Sequence, residues 1–143
     1  MSSPRCFVDS NVWLYRLLAE LTPQNKADAR KRSLATDLTN AEDLIISTQV
    51  VNEVCSVLSR KASLSESQIK QIIQEFYDGC VVTELSVDNL LSAADLRLRY
   101  GFSFWDGLIV ASALSANAEI LYSEDMQSGL IVSDRLEIVN PFK

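Results

Sequence analysis

The chain has 143 residues, of which 48% are hydrophobic and 22% are charged, and its formal net charge is −6. This balance is typical of a globular protein, and the length is sufficient for one domain that buries a core without disulfides or a structural metal. The excess of acidic residues argues against a protein that coats nucleic acid by bulk electrostatics. It leaves open a nuclease whose acidic residues surround a metal ion.

Cysteine usage and apolar runs indicate the compartment. The three cysteines lie far apart without a C-x-x-C pair, which argues against a zinc or redox motif and predicts buried free thiols in a reducing cytoplasm. Residues 1–5 are followed by no long apolar stretch, so we expect no signal peptide. The most apolar run, 107–114, is too short to span a bilayer.

In the first half of the chain, short apolar runs alternate with helical patterns. Residues 6–8 predict a strand, and apolar residues spaced by three and four predict a helix over 10–20. A charged helix follows over 25–40, then a strand over 44–46. Residues 48–61 predict a helix with valines on one face.

The second half continues the alternation. Ser65 and Gln68 form a capping-box pair that opens a helix ending at Tyr77. The remaining predicted elements are a strand at 81–82, a helix at 86–100 ended by Gly101, a buried helix at 104–117, a strand at 120–122 and a weaker strand at 136–139.

Strands that are short and wholly apolar, alternating with helices, predict the α/β class. We expect a three-layer α/β/α sandwich with a central, mainly parallel sheet of four to five strands, with residues 1–143 forming a single domain. Ligands of such sheets bind beyond the carboxyl ends of the strands. Asp9 directly follows the first strand, Asp125 closely follows the fourth, and Glu53 lies in the second turn after the second.

Each acidic residue also has a structural interpretation. Asp9 precedes a helix and suits an N-cap, Asp106 stands three residues after Ser103 in a capping-box pattern, and Asp125 suits a turn. Glu53 lies too deep in its helix to cap it. It falls at the edge of the apolar face, where a half-buried carboxylate needs a basic partner, water or a metal.

Considered together, the four acidic residues favour a metal site. Like charges at one end of a parallel sheet repel one another unless cations neutralise them, and carboxylate oxygens suit Mg²⁺ or Mn²⁺. The chain has no histidine, so no imidazole can act as a base or a metal ligand. The same absence argues against a serine hydrolase.

Four segments carry a family resemblance: FVDSNVWL at 7–14, STQVVNEV at 47–54, FWDGLI at 104–109, and LYSEDM at 121–126 followed by Gly129. In this order they resemble the acidic motifs of PIN-domain ribonucleases, and the nearest resemblance is to VapC-like toxins of bacterial toxin–antitoxin pairs. Ser123 stands where threonine is frequent in that family, and Glu124 is an additional acid.

The resemblance implies a PIN-like fold and an Mg²⁺- or Mn²⁺-dependent endoribonuclease. The residue roles it implies are metal ligands at Asp9 and Asp106, further acidic groups at Glu53 and Asp125, and orienting groups at Asn11 and Ser123. It also implies an RNA substrate, a cognate antitoxin protein and a homodimer. An antitoxin tail that inserts an arginine into the acidic pocket is a further hypothesis.

Substrate binding would fall to local basic clusters and aromatic residues. The basic candidates are 30–32, 60–61 and the pair Arg97 and Arg99, each of which is also compatible with an ordinary solvated helix face. Helical spacing predicts Trp13 and Phe104 in the core. It leaves Tyr15 and Trp105 open as stacking groups for bases.

Two alternative functions remain at this point. A phosphatase of the haloacid-dehalogenase type also begins with an aspartate after a first strand, but it requires a second aspartate where this chain has Asn11. A non-catalytic interaction module with the same fold is the other alternative. Retention of all four acidic residues argues against it, because a binding module gains nothing from a repulsive pocket.

Overall fold

A computed structural model describes residues 3–21 and 28–143 of the chain. Its strands are β1 Cys6–Val8, β2 Ile45–Ser47, β3 Val81–Thr83, β4 Ile120–Tyr122, β5 Ile131–Val132 and β6 Leu136–Val139. Its helices are α1 Ser10–Leu21, α2 Ala29–Thr39, α3 Thr48–Lys61, α4 Glu66–Gly79, α5 Val87–Tyr100 and α6 Phe104–Ser115.

The strands form one sheet in the order β3-β2-β1-β4-β6-β5. All neighbouring pairs are parallel except β5 and β6, which run antiparallel. The first strand lies between β2 and β4, with Phe7 opposite both Ile45 and Leu121. The carboxyl ends of β2, β1 and β4 are therefore neighbours, and residues that follow those strands meet at one edge of the sheet.

Burial explains why these strands are so short and so apolar. Phe7, Val8, Ile46, Leu121 and Ile138 are fully buried. Helices flank the sheet, with α1 packed against α2 and α3, and α5 packed against α6. The three central strands β1, β2 and β4 have no exposed residue, because the sheet is covered on both faces there, so they do not alternate between apolar and polar side chains. The outer strands β3, β5 and β6 each have an exposed residue.

Helix α6 is the most buried helix among the described residues. Every residue from Gly107 to Leu114 is buried, as the apolar pattern predicts. The helix is two residues shorter than predicted, because Asn117 takes a left-handed conformation with φ 60°. Asparagine tolerates that conformation better than most residues, and it ends the helical path.

The sequence did not predict β5. It has two residues and joins β6 through a tight turn, in which Arg135 N donates to Val132 O at 3.1 Å. Ser133 and Asp134 both have positive φ (52° and 59°), as a type I′ hairpin turn requires. The usual signal for that turn is Asn-Gly or Asp-Gly, which this Ser-Asp pair lacks.

The remaining predictions agree closely with the observed elements. The α/β class with a mainly parallel sheet is confirmed, with six strands in place of four to five. The capping box at Ser65 and Gln68 is present, and Gly101 ends α5 in the left-handed conformation. The first residues of the charged helix predicted at 25–40 lie outside the described residues, and α2 begins at Ala29.

The cysteines and the apolar runs also match expectation in part. All three cysteines are free thiols, but only Cys55 is buried, while Cys6 and Cys80 are half-buried.

Across residues 3–21 and 28–143, none of the helices has the length and apolar character needed to cross a membrane.

Candidate active site

The carboxyl group of Asp9 is fixed at the centre of the sheet edge. The Asp9 backbone N donates to Tyr122 O at 3.0 Å, which extends the pairing of β1 and β4 by one residue. Its side chain is only 5% exposed. Asp9 Oδ2 accepts a hydrogen bond from Ser123 Oγ at 2.9 Å, and Oδ1 accepts one from Ser10 N at 2.7 Å.

The electrostatic surroundings of Asp9 include two further acids. Burial raises the pKa of Asp9 to about 6, and the negative charges of Glu53 and Asp106 act in the same direction. The hydrogen bonds from Ser123 and Ser10 oppose this rise. The charges on α3 and α6 therefore reach the residue that follows β1, although these three residues are distant in sequence.

Glu53 carries an oxygen atom without a donor. Its side chain is half-buried on α3, and Oε1 is buried with no hydrogen-bond partner in the described structure. Burial raises the pKa of Glu53, while hydrogen bonds from Gln49 and Ser10 lower it and the charge of Asp106 raises it. No lysine or arginine of the described ranges forms an ion pair with Glu53, so the expected basic partner is not found there.

Asp106 interacts with the helix through its backbone and with the other acids through its carboxyl group. We call Asp9, Glu53, Asp106 and Asp125 the acidic cluster. Its backbone N donates to Ser103 Oγ at 3.2 Å, which caps α6. Burial raises the pKa of its carboxyl group, the Ser103 hydroxyl lowers it, and the charge of Asp125 raises it. The fourth acid is thereby linked to the same cluster. The capping interpretation and the cluster are compatible.

Asn11 connects the loop that carries Asp125 to the first turn of α1. Asn11 Nδ2 donates to Asp125 Oδ2 at 3.0 Å. The same side chain accepts a hydrogen bond through Oδ1 from Glu124 N at 3.3 Å. One amide group thus holds both the backbone and the carboxylate of this loop. Ser123 and Asn11 each contact an acidic residue, as orienting groups do.

Glu124 belongs to a different cluster from its neighbour Asp125. Its carboxylate accepts hydrogen bonds from Lys31 Nζ at 2.6 Å and from Tyr15 OH at 2.7 Å. Partial burial raises the pKa of Glu124, but the bonds from Lys31 and Tyr15 outweigh it and hold the pKa below its ordinary value. The additional acid in the fourth motif therefore joins α1 and α2 to the loop after β4.

The four acids do not form a complete metal cage. No three aspartate, glutamate or cysteine side chains in the described portion of the chain are arranged as a ready ligand set. The donor chemistry nevertheless fits a hard cation. The oxygens are carboxylates, and one of them, Glu53 Oε1, lacks a partner. Mg²⁺ is usually held by one or two carboxylates, with water and phosphate oxygens completing its octahedron.

Two cavities open beside the acidic residues. The Trp105 cavity, about 850 Å³, has Ser10, Gln49, Asn52, Glu53, Glu84 and Trp105 in its wall. The basic cavity, about 550 Å³, has Asn11, Arg32, Arg60, Lys61 and Glu124 in its wall. Leu14 and Val57 line both cavities, so the two are neighbours.

The fold places the residues of the predicted basic clusters in different surroundings. Arg32, Arg60 and Lys61 meet at the basic cavity. Lys31 pairs with Glu124, and Arg30 donates to Phe142 O at 2.7 Å. Arg97 and Arg99 instead lie over aromatic rings, at 4.3 Å from the Phe104 centroid and 5.2 Å from the Tyr100 centroid.

The aromatic predictions were right for Trp13 and wrong for Phe104. Trp13 is buried, and its Nε1 donates to Val8 O at 3.2 Å. Phe104 is 56% exposed, because it lies in the first turn of α6, before the buried stretch begins at Gly107. Of the two open residues, Tyr15 contacts Glu124, and Trp105 is 61% exposed at its cavity.

Gln49 and Asn52 were not among the predicted site residues. Both line the Trp105 cavity with Glu53. Gln49 stands four residues before Glu53, a spacing that places both on one face of a helix. That signal was available in the sequence.

The family model described as "PIN domain" matches residues 6–128 of the chain. No curated protein matches it significantly. Similar solved structures include VapC20 from Mycobacterium tuberculosis, described as a Sarcin–Ricin loop cleaving toxin, at 21% identity and TM-score 0.63, covering 84% of this chain and 89% of that one.

Two further solved structures share the fold. One is a toxin–antitoxin complex from Klebsiella pneumoniae, at 16% identity and TM-score 0.66, covering 95% of this chain and 97% of that one. The other is VapBC2 from Rickettsia felis bound to a DNA fragment from their promoter, at 17% identity and TM-score 0.59, covering 94% and 98%. These structures match the helix-flanked, mainly parallel sheet described above.

Proposed function

Because the chain belongs to the PIN domain family, we propose that it is a divalent-metal-dependent endoribonuclease, the toxin of a toxin–antitoxin pair. In this proposal residues 1–143 form a single PIN-like domain that acts in the cytoplasm, where its free thiols stay reduced. Family membership supports a nuclease; the metal and the RNA substrate are our inference.

The observation that carries the proposal is that three of the four carboxyl groups of the acidic cluster are partly or fully buried and are repelled by other acids of the cluster. Asp9, Glu53 and Asp106 all have raised pKa values because of burial, and each also feels the charge of another acid in the cluster. A folded protein gains no stability from such an arrangement in the absence of a cation. A bound divalent ion would attract each carboxylate and so offset the repulsion between them.

We assign the roles that the family resemblance implies, and the hydrogen bonds of the described residues support the orienting roles. Asp9 and Asp106 would hold Mg²⁺ or Mn²⁺, with Glu53 and Asp125 completing the pocket through water or a second ion. A bound divalent ion supplies an acidified water and neutralises charge that develops on the phosphoryl oxygens. Ser123 Oγ and Ser10 N keep the Asp9 carboxylate in one orientation, and Asn11 does the same for Asp125.

The proton of the attacking water requires an acceptor. Glu53 Oε1 has no donor in the described structure, so its lone pairs are available to an attacking water. We propose that this oxygen takes a proton from that water as the water oxygen bonds to phosphorus and the bond to the leaving oxygen breaks, and that the leaving oxygen takes its proton from solvent.

The basic cavity gives the RNA backbone a binding site beside the acidic pocket. Arg32, Arg60 and Lys61 converge there from α2 and α3. Phosphates next to the cut would bind these side chains, so affinity should fall as salt rises. The net charge of −6 disfavours general binding of RNA, so these local sites would have to supply the affinity.

The proposal is tested by incubating purified protein with structured and single-stranded RNAs in Mg²⁺, in Mn²⁺ and in EDTA. We expect cleavage with either metal and none in EDTA. Asp106→Asn should lower cleavage by about a hundredfold or more, because it removes the ligand charge and keeps both the shape of the side chain and the backbone hydrogen bond to Ser103. Glu42→Gln, at an exposed acid outside the cluster, should cut like the unaltered chain.

An Asp106→Asn protein with unchanged activity would refute the ligand role. Equal traces of cleavage in the unaltered and altered proteins would indicate a contaminating nuclease. Circular dichroism and thermal unfolding of each variant establish that it is folded.

The toxin assignment rests on the fold shared with the toxin structures described above. We expect expression of the chain to arrest bacterial growth, and the Asp106→Asn variant to leave growth unaffected. A neighbouring reading frame that relieves the arrest on co-expression would be the cognate antitoxin. Arrest that persists with Asp106→Asn would separate toxicity from RNA cleavage.

We also propose a homodimer, as the family resemblance implies. Helix α5 carries an apolar stripe of Val87, Leu91 and Leu98, which are 69%, 63% and 89% exposed. Their spacing of four and seven residues places them on one helix face. An apolar stripe of this kind on an otherwise charged helix suits a second copy of the chain.

A further inference from the structure

We propose that the Trp105 cavity binds the unpaired base of the nucleotide next to the cut, stacked on Trp105 and hydrogen-bonded by Gln49 and Asn52. The inference rests on the proposed nuclease function and adds a specificity site to it. The cavity and the acidic cluster share Ser10 and Glu53, so a nucleotide whose phosphate lies at the cluster has its base within reach of the cavity.

The charge of the cavity wall selects a base over a phosphate. Its charged lining residues are the acids Glu53 and Glu84, and none of the described residues that line it is a lysine or arginine. The described residues that line the adjoining basic cavity include Arg32, Arg60 and Lys61, beside the acids Asp28 and Glu124. A nucleotide with the phosphate to be cut at the acidic cluster would place its neutral base on the side of Trp105, and a neighbouring phosphate of the strand would lie on the basic side.

Trp105 forms a braced aromatic platform. The indole is 61% exposed, although it immediately precedes Asp106. Phe104 packs against it edge-on, with ring centroids 5.2 Å apart and planes at 76°. Phe104 is in turn covered by Arg97, whose guanidinium carbon lies 4.3 Å from the ring centroid. A large exposed ring held in place in this way suits base stacking, which tolerates any base because every base has a π-face.

Gln49 presents an unsatisfied hydrogen-bond acceptor in the same cavity. Its Nε2 donates to Trp105 O at 3.4 Å, which ties it to the platform, while its Oε1 is buried without a partner in the described structure. A buried amide oxygen without a donor is unfavourable and is stabilised by a ligand that donates to it. An exocyclic amine or a ring N–H of a base is such a donor. Asn52 adds a second amide at the exposed rim of the cavity.

Binding is measured first without cleavage, in the Asp106→Asn background. Single-stranded octamers of each of the four ribonucleotides are titrated while tryptophan fluorescence is followed. Trp13 is buried, so quenching reports on Trp105. We expect quenching by at least one octamer, and its loss when all bases are removed from that octamer. Equal quenching by the abasic octamer, or none by any octamer, would overturn the proposal.

Cleavage by the active protein provides the second test. Trp105→Ala should lower the cleavage rate about tenfold to a hundredfold, and Trp105→Phe should retain most of it, because a ring is kept. Tyr77→Ala, at an exposed aromatic outside the cavity, is the matched control and should leave the rate unchanged. An RNA that lacks the base next to the cut should be cleaved by the unaltered protein more slowly by the same factor. The missing base should cause little further reduction in the cleavage rate of the Trp105→Ala variant.

The outcomes separate this inference from the nuclease proposal. Cleavage that is insensitive to both Trp105→Ala and the missing base would remove the base site and leave the nuclease. Base-dependent quenching without cleavage of any RNA would leave the base site and remove the nuclease. If the rate reductions caused by Trp105→Ala and by the missing base multiply when the two changes are combined, the base contacts a group other than Trp105. That result would overturn the proposal.

Discussion

At the scale of single residues, neighbouring acids in one motif have opposite environments. Lys31 and Tyr15 both donate to the carboxylate of Glu124, whereas the carboxylate of Asp125 accepts a hydrogen bond from the uncharged amide of Asn11. The family resemblance separates the two acids by their place in the motif, but local sequence does not reveal their different environments. The difference arises from α2, which brings Lys31 to one of them.

The buried charge of Asp9 predicts a pH-dependent stability. Its pKa rises from 3.8 to about 6 on folding without metal, so the folded state binds more protons between these values. The free energy of unfolding is therefore not reduced by Asp9 below about pH 4, where the carboxyl group is neutral in both the folded and the unfolded state. It falls as pH rises through 6, because the buried carboxyl group must then carry its charge. In EDTA we therefore expect Asp9→Asn to be more stable than the unaltered protein at pH 8 by about 3 kcal/mol, and equally stable near pH 4.

Thermal unfolding in EDTA across this pH range measures the difference. Glu42→Gln, at an exposed acid, is the control and should track the unaltered protein. Adding Mg²⁺ at pH 8 should stabilise the unaltered protein and not Asp9→Asn, because ligand binding to the folded state raises stability. A difference that does not change with pH would contradict the buried-charge interpretation.

At the scale of elements, α6 has two parts with different functions. Its first turn carries the exposed residues Phe104 and Trp105 and the half-buried Asp106, while Gly107 to Leu114 are buried. The apolar pattern predicts the helix correctly but overestimates its burial at the start. Periodicity reports which residues are apolar, and it does not report where a neighbouring element stops covering them. That limit explains the error at Phe104.

Gly107 sets the distance between α5 and α6. A Cβ atom there would lie 2.6 Å from Arg97 Cγ and 3.3 Å from Ala93 O. We expect Gly107→Ala to lower the free energy of unfolding by about 1–2 kcal/mol, because overpacking outweighs the gain in helix propensity. It should also weaken RNA cleavage, because Arg97 must leave Phe104.

Gly79→Ala is the matched control for this prediction. Gly79 is the last residue of α4, and a Cβ added there meets nothing within 4 Å. Replacement there should be neutral or stabilising. Chemical denaturation measures the free energy of unfolding of both variants. Equal values would contradict the prediction, because they would show that the contact between α5 and α6 adjusts to the added Cβ atom without loss of stability.

At the scale of the whole molecule, charge is segregated around one edge of the sheet. The acidic cluster, the basic cavity and the Trp105 cavity adjoin one another, while the chain carries a net charge of −6. Composition alone argues against general nucleic-acid binding. The fold concentrates three cations from separate helical segments in one place, which composition cannot reveal.

The α5 stripe predicts the oligomeric state. Leu98 is 89% exposed, and a glutamate there should convert the expected homodimer into a monomer, because it places a charge in an apolar interface. Size-exclusion chromatography with light scattering measures the mass of each variant. Tyr77→Glu, at an exposed apolar residue of α4, should remain dimeric. A dimer that survives Leu98→Glu would place the interface elsewhere.

The sequence by itself determined the alternation of strands and helices, the capping box at Ser65, the end of α5 at Gly101 and the order of the four acidic motifs. These features are local: each depends on residues within a few positions of one another, through hydrogen-bond capping, backbone conformation or periodic burial. The absence of histidine likewise restricted the chemistry without reference to any fold.

Only the tertiary structure decided which residues meet. The order β3-β2-β1-β4-β6-β5 places the ends of β2, β1 and β4 together, and so brings the charges of Glu53 and Asp106 to Asp9. Among residues 3–21 and 28–143, it also left Gln49 Oε1 and Glu53 Oε1 without donors and paired Lys31 with Glu124. Such contacts join distant parts of the chain, and they are selected by the packing of whole elements, which local patterns do not encode.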